Sequence, residues 1–134
     1  AKCDVTLIAN AADELLLDKT SIILEGMLNV ECTRIDASEE KDYEAICTEA
    51  LKKSRMVVVL AGAAGEWAVN FTRQIWKTNG GASSKTPIVV LFDKLHFSRA
   101  KELKIPGVRL LLADDSMAGL EIKVEFDRMT ALNE

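Results

Sequence analysis

The segment from residue 60 to residue 67, Leu-Ala-Gly-Ala-Ala-Gly-Glu-Trp, carries the residues best suited to hold a ligand or to react with one. Gly62 and Gly65 permit a tight turn in which the backbone approaches a ligand closely. A helix that begins after them offers free amide groups to an anion. Glu66 supplies a carboxylate that could act as a nucleophile, and Trp67 supplies a ring that could stack on a base.

The same residues also have structural explanations. Small residues after a strand let the next helix pack close to the sheet, and the helix dipole favours an acidic residue in a first turn. Trp67, Phe71 and Ile75 lie four residues apart, a spacing that buries one stripe of a helix on a sheet. The segment matches neither the G-x-G-x-x-G fingerprint nor the P-loop signature, so we expect no P-loop nucleotide triphosphatase.

Composition excludes several other classes of site. Cys3, Cys32 and Cys47 are an odd number without C-x-x-C spacing, and we interpret them as buried reduced thiols. His96 is the single histidine, so we predict no metal site, and no cofactor can be named. The net charge of −4 argues against nucleic acid as a partner. No apolar run approaches the roughly 20 residues of a membrane span, so we expect a cytoplasmic protein without a membrane partner.

Charge is distributed unevenly along the chain. From Asp36 to Glu49 there are six acidic residues and one lysine, whereas from Asp93 to Arg109 there are five basic residues and two acidic ones. Solvated helix faces commonly explain such runs, and the alternative is a pair of complementary patches used in association.

Five apolar, β-rich segments alternate with helical patterns, and this alternation predicts the fold. The strand segments are Asp4 to Ala9, Val30 to Ile35, Met56 to Leu60, Pro87 to Phe92 and Val108 to Ala113. The third is a run without alternation, which is typical of a strand buried on both faces of a parallel sheet. We predict one α/β domain over residues 1–134, a three-layer, doubly wound, flavodoxin-like sandwich with a five-stranded parallel sheet in the order 2-1-3-4-5.

The helical patterns are less uniform than the strands. Residues Leu16, Leu17, Ile23, Leu24, Met27 and Leu28 share helical spacing and predict a buried stripe on the first helix. Ser38 could cap the second helix, and a third runs from about Glu66 to Lys77. A short helix is expected around residues 98–103. The segment 120–126 alternates like a strand, but Val124 to Leu132 also fits a closing helix, which we favour.

A ligand site in such a sheet lies at the carboxyl ends of the strands, where the strand order reverses. That point lies between the first and third strands. At that point we expect Asn10 and Asp13 on one side and Gly62, Gly65 and Trp67 on the other, with Glu66 as the catalytic candidate. Asp93 follows the fourth strand and is a further ligand-binding candidate.

The segment Leu51-Lys-Lys-Ser-Arg-Met-Val-Val-Val-Leu60, followed by a small-residue loop and by Trp67 at the start of a helix, resembles Toll/interleukin-1 receptor (TIR)-like domains. The likeness covers about residues 43–92. In NAD-cleaving members of that family a glutamate lies four residues after this tryptophan, and Phe71 takes that position here. The resemblance therefore implies a non-catalytic signalling or protein-interaction module that works by association with itself or with a partner protein.

The strand, loop and helix from Val57 to Trp67 also look like those of nucleoside deoxyribosyltransferases, in which a glutamate attacks the anomeric carbon of a ribosyl group. This second resemblance implies an N-glycoside-cleaving enzyme, a hydrolase or transferase acting on NAD or a nucleoside. Glu66 would be its nucleophile, Asp13 or Asp93 the polar partner, and a nucleotide or nucleoside the ligand.

Overall fold

A computed structural model describes residues 2–39, 42–81, 85–96 and 105–132. The five strands are β1 (Cys3–Asn10), β2 (Val30–Ile35), β3 (Ser54–Ala61), β4 (Ile88–Asp93) and β5 (Val108–Ala113). The four helices are α1 (Glu14–Glu25), α2 (Tyr43–Lys53), α3 (Gly65–Thr78) and α4 (Ala118–Leu132), and a 3-10 turn, Ala11–Asp13, precedes α1.

The strands form one parallel sheet in the order β2-β1-β3-β4-β5, which confirms the predicted fold class and strand order. β3 lies in the centre, between β1 and β4, and every residue from Met56 to Ala61 is buried. A central strand covered by helices on both faces needs apolar side chains at every position rather than at alternate ones. This requirement explains the unbroken apolar run at β3.

Helices cover both faces of the sheet, and alternate residues of β3 divide the core between them. Met56, Val58 and Leu60 pack in the layer under α1 and α4. The intervening residues Val57 and Val59 pack in the opposite layer, under α2 and α3. Because side chains of a strand alternate between the two faces, one short segment supplies the centre of both cores.

Two details of the first helices differ from the sequence predictions. Met27 is exposed because α1 ends at Glu25 and the residue lies in the turn that follows. The cap of α2 is Asp42, whose Oδ1 accepts a hydrogen bond from the Ala45 amide, and not Ser38. Ser38 instead donates to Asp36 in the turn after β2.

The last segment is a helix of 15 residues, α4, which confirms the favoured interpretation and begins earlier than predicted. Ile122 and Phe126 lie one turn apart on its buried face, whereas Leu120 and Val124 point to solvent. The apolar residues at every second position, which suggested a strand, therefore lie on two different sides of a helix. The short helix expected around residues 98–103 lies outside the described residues.

Close packing of α4 on α1 depends on Gly119. A Cβ at this position would lie 2.9 Å from Cβ of Ile23 and 3.1 Å from the carbonyl oxygen of Thr20. The absence of a side chain thus lets the two helices approach closely. This contact also determines which faces of α1 and α4 stay exposed to solvent. None of the helices in the described part of the chain combines the length and apolar character that a membrane span needs.

Candidate functional site

The loop after β3 is closed by the carboxylate of Asp13. Consecutive backbone amides donate to it: Gly62 to Oδ2 at 3.2 Å, Ala63 to Oδ1 at 2.7 Å and Ala64 to Oδ2 at 3.0 Å. Asp13 is only 6% exposed. The sequence predicted that Asp13 and Gly62 would meet at this point, and the structure brings them together.

This contact limits what the amides of the loop can bind. The amides of Gly62, Ala63 and Ala64, in the loop before α3, bind an anion of the domain itself, the side chain of Asp13. Hydrogen bonds from amides to a carboxylate are stronger than those between neutral groups, and the start of a helix favours the negative charge. A ligand anion could reach these three amides only by displacing Asp13.

Asn10 has a local role at the end of β1. It is buried, and its Oδ1 accepts a hydrogen bond of 2.8 Å from the amide of Ala12. The side chain thereby caps the 3-10 turn that carries Asp13 into position. Asn10 thus supports the geometry of the Asp13 contact.

Glu66 lies in the first turn of α3 and is exposed to solvent, next to the buried Gly65. A nucleophilic carboxylate acts in a pocket that excludes water. Four cavities lined by described residues lie elsewhere on the domain, and none of the four includes Glu66 or Asp13. The catalytic role of Glu66 remains a prediction.

Trp67 is half-buried and belongs to an aromatic cluster between α2 and α3. Its ring stacks on Phe71 with 4.9 Å between centroids, and Phe71 meets Tyr43 edge-on at 5.7 Å. Phe71 itself is buried. Phe71, four residues after Trp67, is thus part of an apolar contact.

Asp93 ends β4 and is half-buried. Its Oδ1 accepts a hydrogen bond of 3.0 Å from the amide of Leu95, so the side chain stabilises the turn that leaves the sheet. Among the described residues there is no group of three or more side chains of the kinds that ligate metals.

The largest of the four cavities, about 800 Å³, runs between the outer strand β2 and α2. Glu31 of β2 and Lys53 of α2 form an ion pair of 2.7 Å beside it. Cys32, on the same strand, is exposed, which corrects the expectation of three buried thiols. Partial burial raises the pKa of the Cys32 thiol, a hydrogen bond with Ser21 opposes this shift, and nearby Glu25 and Asp18 add to it.

A second surface escaped the sequence predictions. Five large apolar side chains point outward from α1, from α4 and from the turn before α4: Leu15 (66% exposed), Ile22 (71%), Met117 (44%), Leu120 (43%) and Val124 (65%). We call this group the α1–α4 surface. The spacings of seven residues on α1, and of three and four from Met117 to Val124, are sequence signals for a second stripe, separate from the buried one.

A scan against models of protein families gives no match, and a search of curated proteins gives none either.

Proposed function

We propose that this domain is a TIR-like protein-interaction module, without catalysis of its own, that binds a partner protein through the α1–α4 surface. The exposed aliphatic side chains of this surface are the observation that carries the proposal. The layout and sequence resemblance to TIR-like domains support it.

Apolar side chains gathered on one helical face favour association because their burial removes apolar area from water. Complete burial of one aliphatic side chain contributes about 1.5–3 kcal/mol. Leu15, Ile22 and Val124 are each about two-thirds exposed, so a partner that covers them gains much of that free energy. Exposed apolar patches on soluble domains commonly mark interaction sites, and the two helices that carry these side chains pack closely against each other.

Charges around the α1–α4 surface select the partner's chemistry. The cations Lys19, Lys123 and Arg128 are each bonded to a carboxylate of the same domain. The carboxylates of Asp18 and Glu121 have no cationic partner among the described residues. A partner with apolar side chains flanked by lysine or arginine complements this pattern, whereas two copies facing each other here would bring acid against acid.

The residues that suggested catalysis have other contacts. Asp13 accepts three backbone hydrogen bonds, and Phe71 packs against Trp67 at the position of the family's glutamate. These contacts support a domain whose loop after β3 serves stability rather than turnover. The alternative, cleavage of an N-glycosidic bond by Glu66, is tested separately below.

A site-specific photo-crosslink tests the proposed surface. Benzoylphenylalanine is placed at position 22, on α1, and in a matched control at position 74, where exposed Gln74 lies on α3 at the other face. We expect crosslinks to another protein in an extract of the native cells from position 22 only. Val124→Glu should reduce their yield, because a charge on the surface opposes apolar burial.

Equal yields from positions 22 and 74 would contradict the α1–α4 surface as the binding site. Crosslinks from position 22 to second copies alone, in purified protein and in extract, would contradict a partner protein and favour self-association at this face.

A further inference from the structure

The outer edge of β2 is open. β2 pairs with β1 from Val30 to Ile35 in unbroken register, and no other strand lies beside it among the described residues. Such an edge presents backbone N–H and C=O groups that can pair with a strand from another molecule. Natural edges are often protected by proline, by a bulge or by charged side chains. β2 has no proline and no bulge, and its charged residues are Glu31 and Arg34.

The two charged side chains of β2 each form an ion pair within the domain. Glu31 pairs with Lys53 at the end of α2 at 2.7 Å, and Arg34 pairs with Glu14 at the start of α1 at 3.3 Å. Each side chain therefore turns towards its own helix layer. Neither blocks the approach of a second strand along the edge.

The groove of about 800 Å³ beside β2 has opposite charges at its two ends. The N-cap residue Asp42 and Glu44 of the first turn of α2 lie at the end where the parallel strands finish. Lys52, from the last turn of α2, and Lys2, which precedes β1, lie at the end where the strands begin. Neither lysine has an ion-pair partner in the part of the chain that the structure describes. Glu49 and the Glu31–Lys53 pair also line the groove.

This charge pattern complements itself under a two-fold axis perpendicular to the sheet. Such an axis makes the two β2 strands antiparallel and brings the lysine end of one groove to the acidic end of the other, twice. A parallel arrangement would place the two grooves on opposite faces of the sheet, where their charges do not meet. We propose that β2 pairs edge to edge, in antiparallel orientation, with β2 of a second copy of this chain, which joins two five-stranded sheets into one.

The alternation of side chains restricts the register of this pairing. Ile35 belongs to the core under α2, so Glu31 and Thr33 share that face, whereas Cys32 and Arg34 share the other. Residues opposite each other across the axis must lie on the same face. The registers closest to the middle of β2 therefore place Cys32 opposite Cys32 or Thr33 opposite Thr33.

Disulfide crosslinking reports on both registers. Directly opposed residues of antiparallel strands have Cβ atoms about 4.5–5.5 Å apart, within reach of a disulfide after a small adjustment. With copper–phenanthroline and oxygen as oxidant, two thiolates lose two electrons and form one S–S bond. The reaction is run at alkaline pH because partial burial raises the pKa of the Cys32 thiol. Cys3 and Cys47 are buried and serve as internal controls.

We expect a disulfide dimer either from the native chain, through Cys32, or from the double variant Cys32→Ser with Thr33→Cys. The single variant Cys32→Ser should give none. A monomer by light scattering up to millimolar concentration would overturn the proposal. A dimer that crosslinks in neither the native chain nor the double variant would overturn it as well.

Charge reversal tests the complementary ends of the groove. Lys52→Glu removes one attraction and adds a repulsion, and the two-fold axis repeats the effect, so the dimer dissociation constant should rise about tenfold. Adding Glu44→Lys should restore most of the affinity. Lys77→Glu is the matched control, because Lys77 is exposed in the last turn of α3 and should leave the constant unchanged. Equal effects of Lys52→Glu and Lys77→Glu would contradict the orientation.

This inference does not rest on the proposed partner site. Ile22→Glu alters the α1–α4 surface and should leave the β2 crosslink intact. If the chain crosslinks through β2 but captures no partner, the β2 pairing stands and the proposed function is contradicted. If it captures a partner but does not crosslink through β2, the proposed function stands and the β2 pairing is contradicted.

Discussion

The carboxylate of Asp13 occupies the space in which a side chain at Gly62 would lie. A Cβ at Gly62 would be 2.4 Å from Oδ1 of Asp13, while the Gly62 amide donates to Oδ2 at 3.2 Å. The missing side chain and the hydrogen bonds thus form one contact between the end of β3 and the turn after β1.

Asp13→Ala should lower the free energy of unfolding by about 3 kcal/mol, because it leaves three amides near the sheet without their acceptor. Asp13→Asn should lose less, since its amide oxygen still accepts. Urea unfolding followed by circular dichroism measures both changes. Asp18→Ala, an exposed aspartate on α1, is the control and should change stability by less than about 0.5 kcal/mol. Equal losses at the two sites would show that the Asp13 contact contributes little.

Gly62→Ala should destabilise the domain by about 2 kcal/mol, because the new Cβ overlaps the Asp13 carboxylate. In the double variant with Asp13→Ala the overlap is gone, so the combined loss should be smaller than the sum of the single losses. Gly26→Ala is the matched control, since its nearest neighbour would be an ordinary contact at 3.5 Å. Additive losses at positions 13 and 62 would contradict the coupling.

Stability should fall as pH rises from 9.0 to about 11, partly because of Cys47. Burial raises the pKa of this thiol from its ordinary value of 9.0 to about 11. The folded chain therefore keeps a proton that the unfolded chain releases in this range. Below pH 9.0 the contribution is complete, and it is lost as pH rises towards 11.

Cys47→Ala isolates the contribution of this thiol. Its stability, measured by urea unfolding at several pH values, should depend less steeply on pH than that of the native chain. Curves of equal slope would show that burial of Cys47 does not contribute to the alkaline loss.

Glu66→Gln tests the enzymatic alternative. Concentrated protein is incubated with NAD and a panel of nucleosides and deoxynucleosides, and free base is measured by chromatography. We expect no release from either form, because Glu66 is exposed and the amides of the neighbouring loop bind Asp13. Base released by the native chain and lost in Glu66→Gln would identify an N-glycoside-cleaving enzyme and contradict the proposed function.

Other features of the fold could not be predicted from the sequence. The charge segment from Asp93 to Arg109 includes residues 97–104, which lie outside the described residues, so a basic patch there remains a prediction. The exposure of Leu15 and Ile22 could not be predicted because α1 has apolar residues on more than one face. The periodicity of a sequence alone does not tell which apolar stripe of a helix is buried. Cys32 was expected to be buried because thiols are apolar, but an edge strand is covered incompletely.

The sequence by itself determined the layers and the strand order. Unbroken β-branched runs such as Val57 to Val59 are stable only between two helix layers, and short connections leave few ways to join parallel strands. The tertiary structure alone decided what the loop after β3 does. The spacing of the glycines shows that a group can approach the amides of this loop. Asp13 lies 49 to 51 positions away from them in the sequence, so only the folded structure shows that its carboxylate is that group.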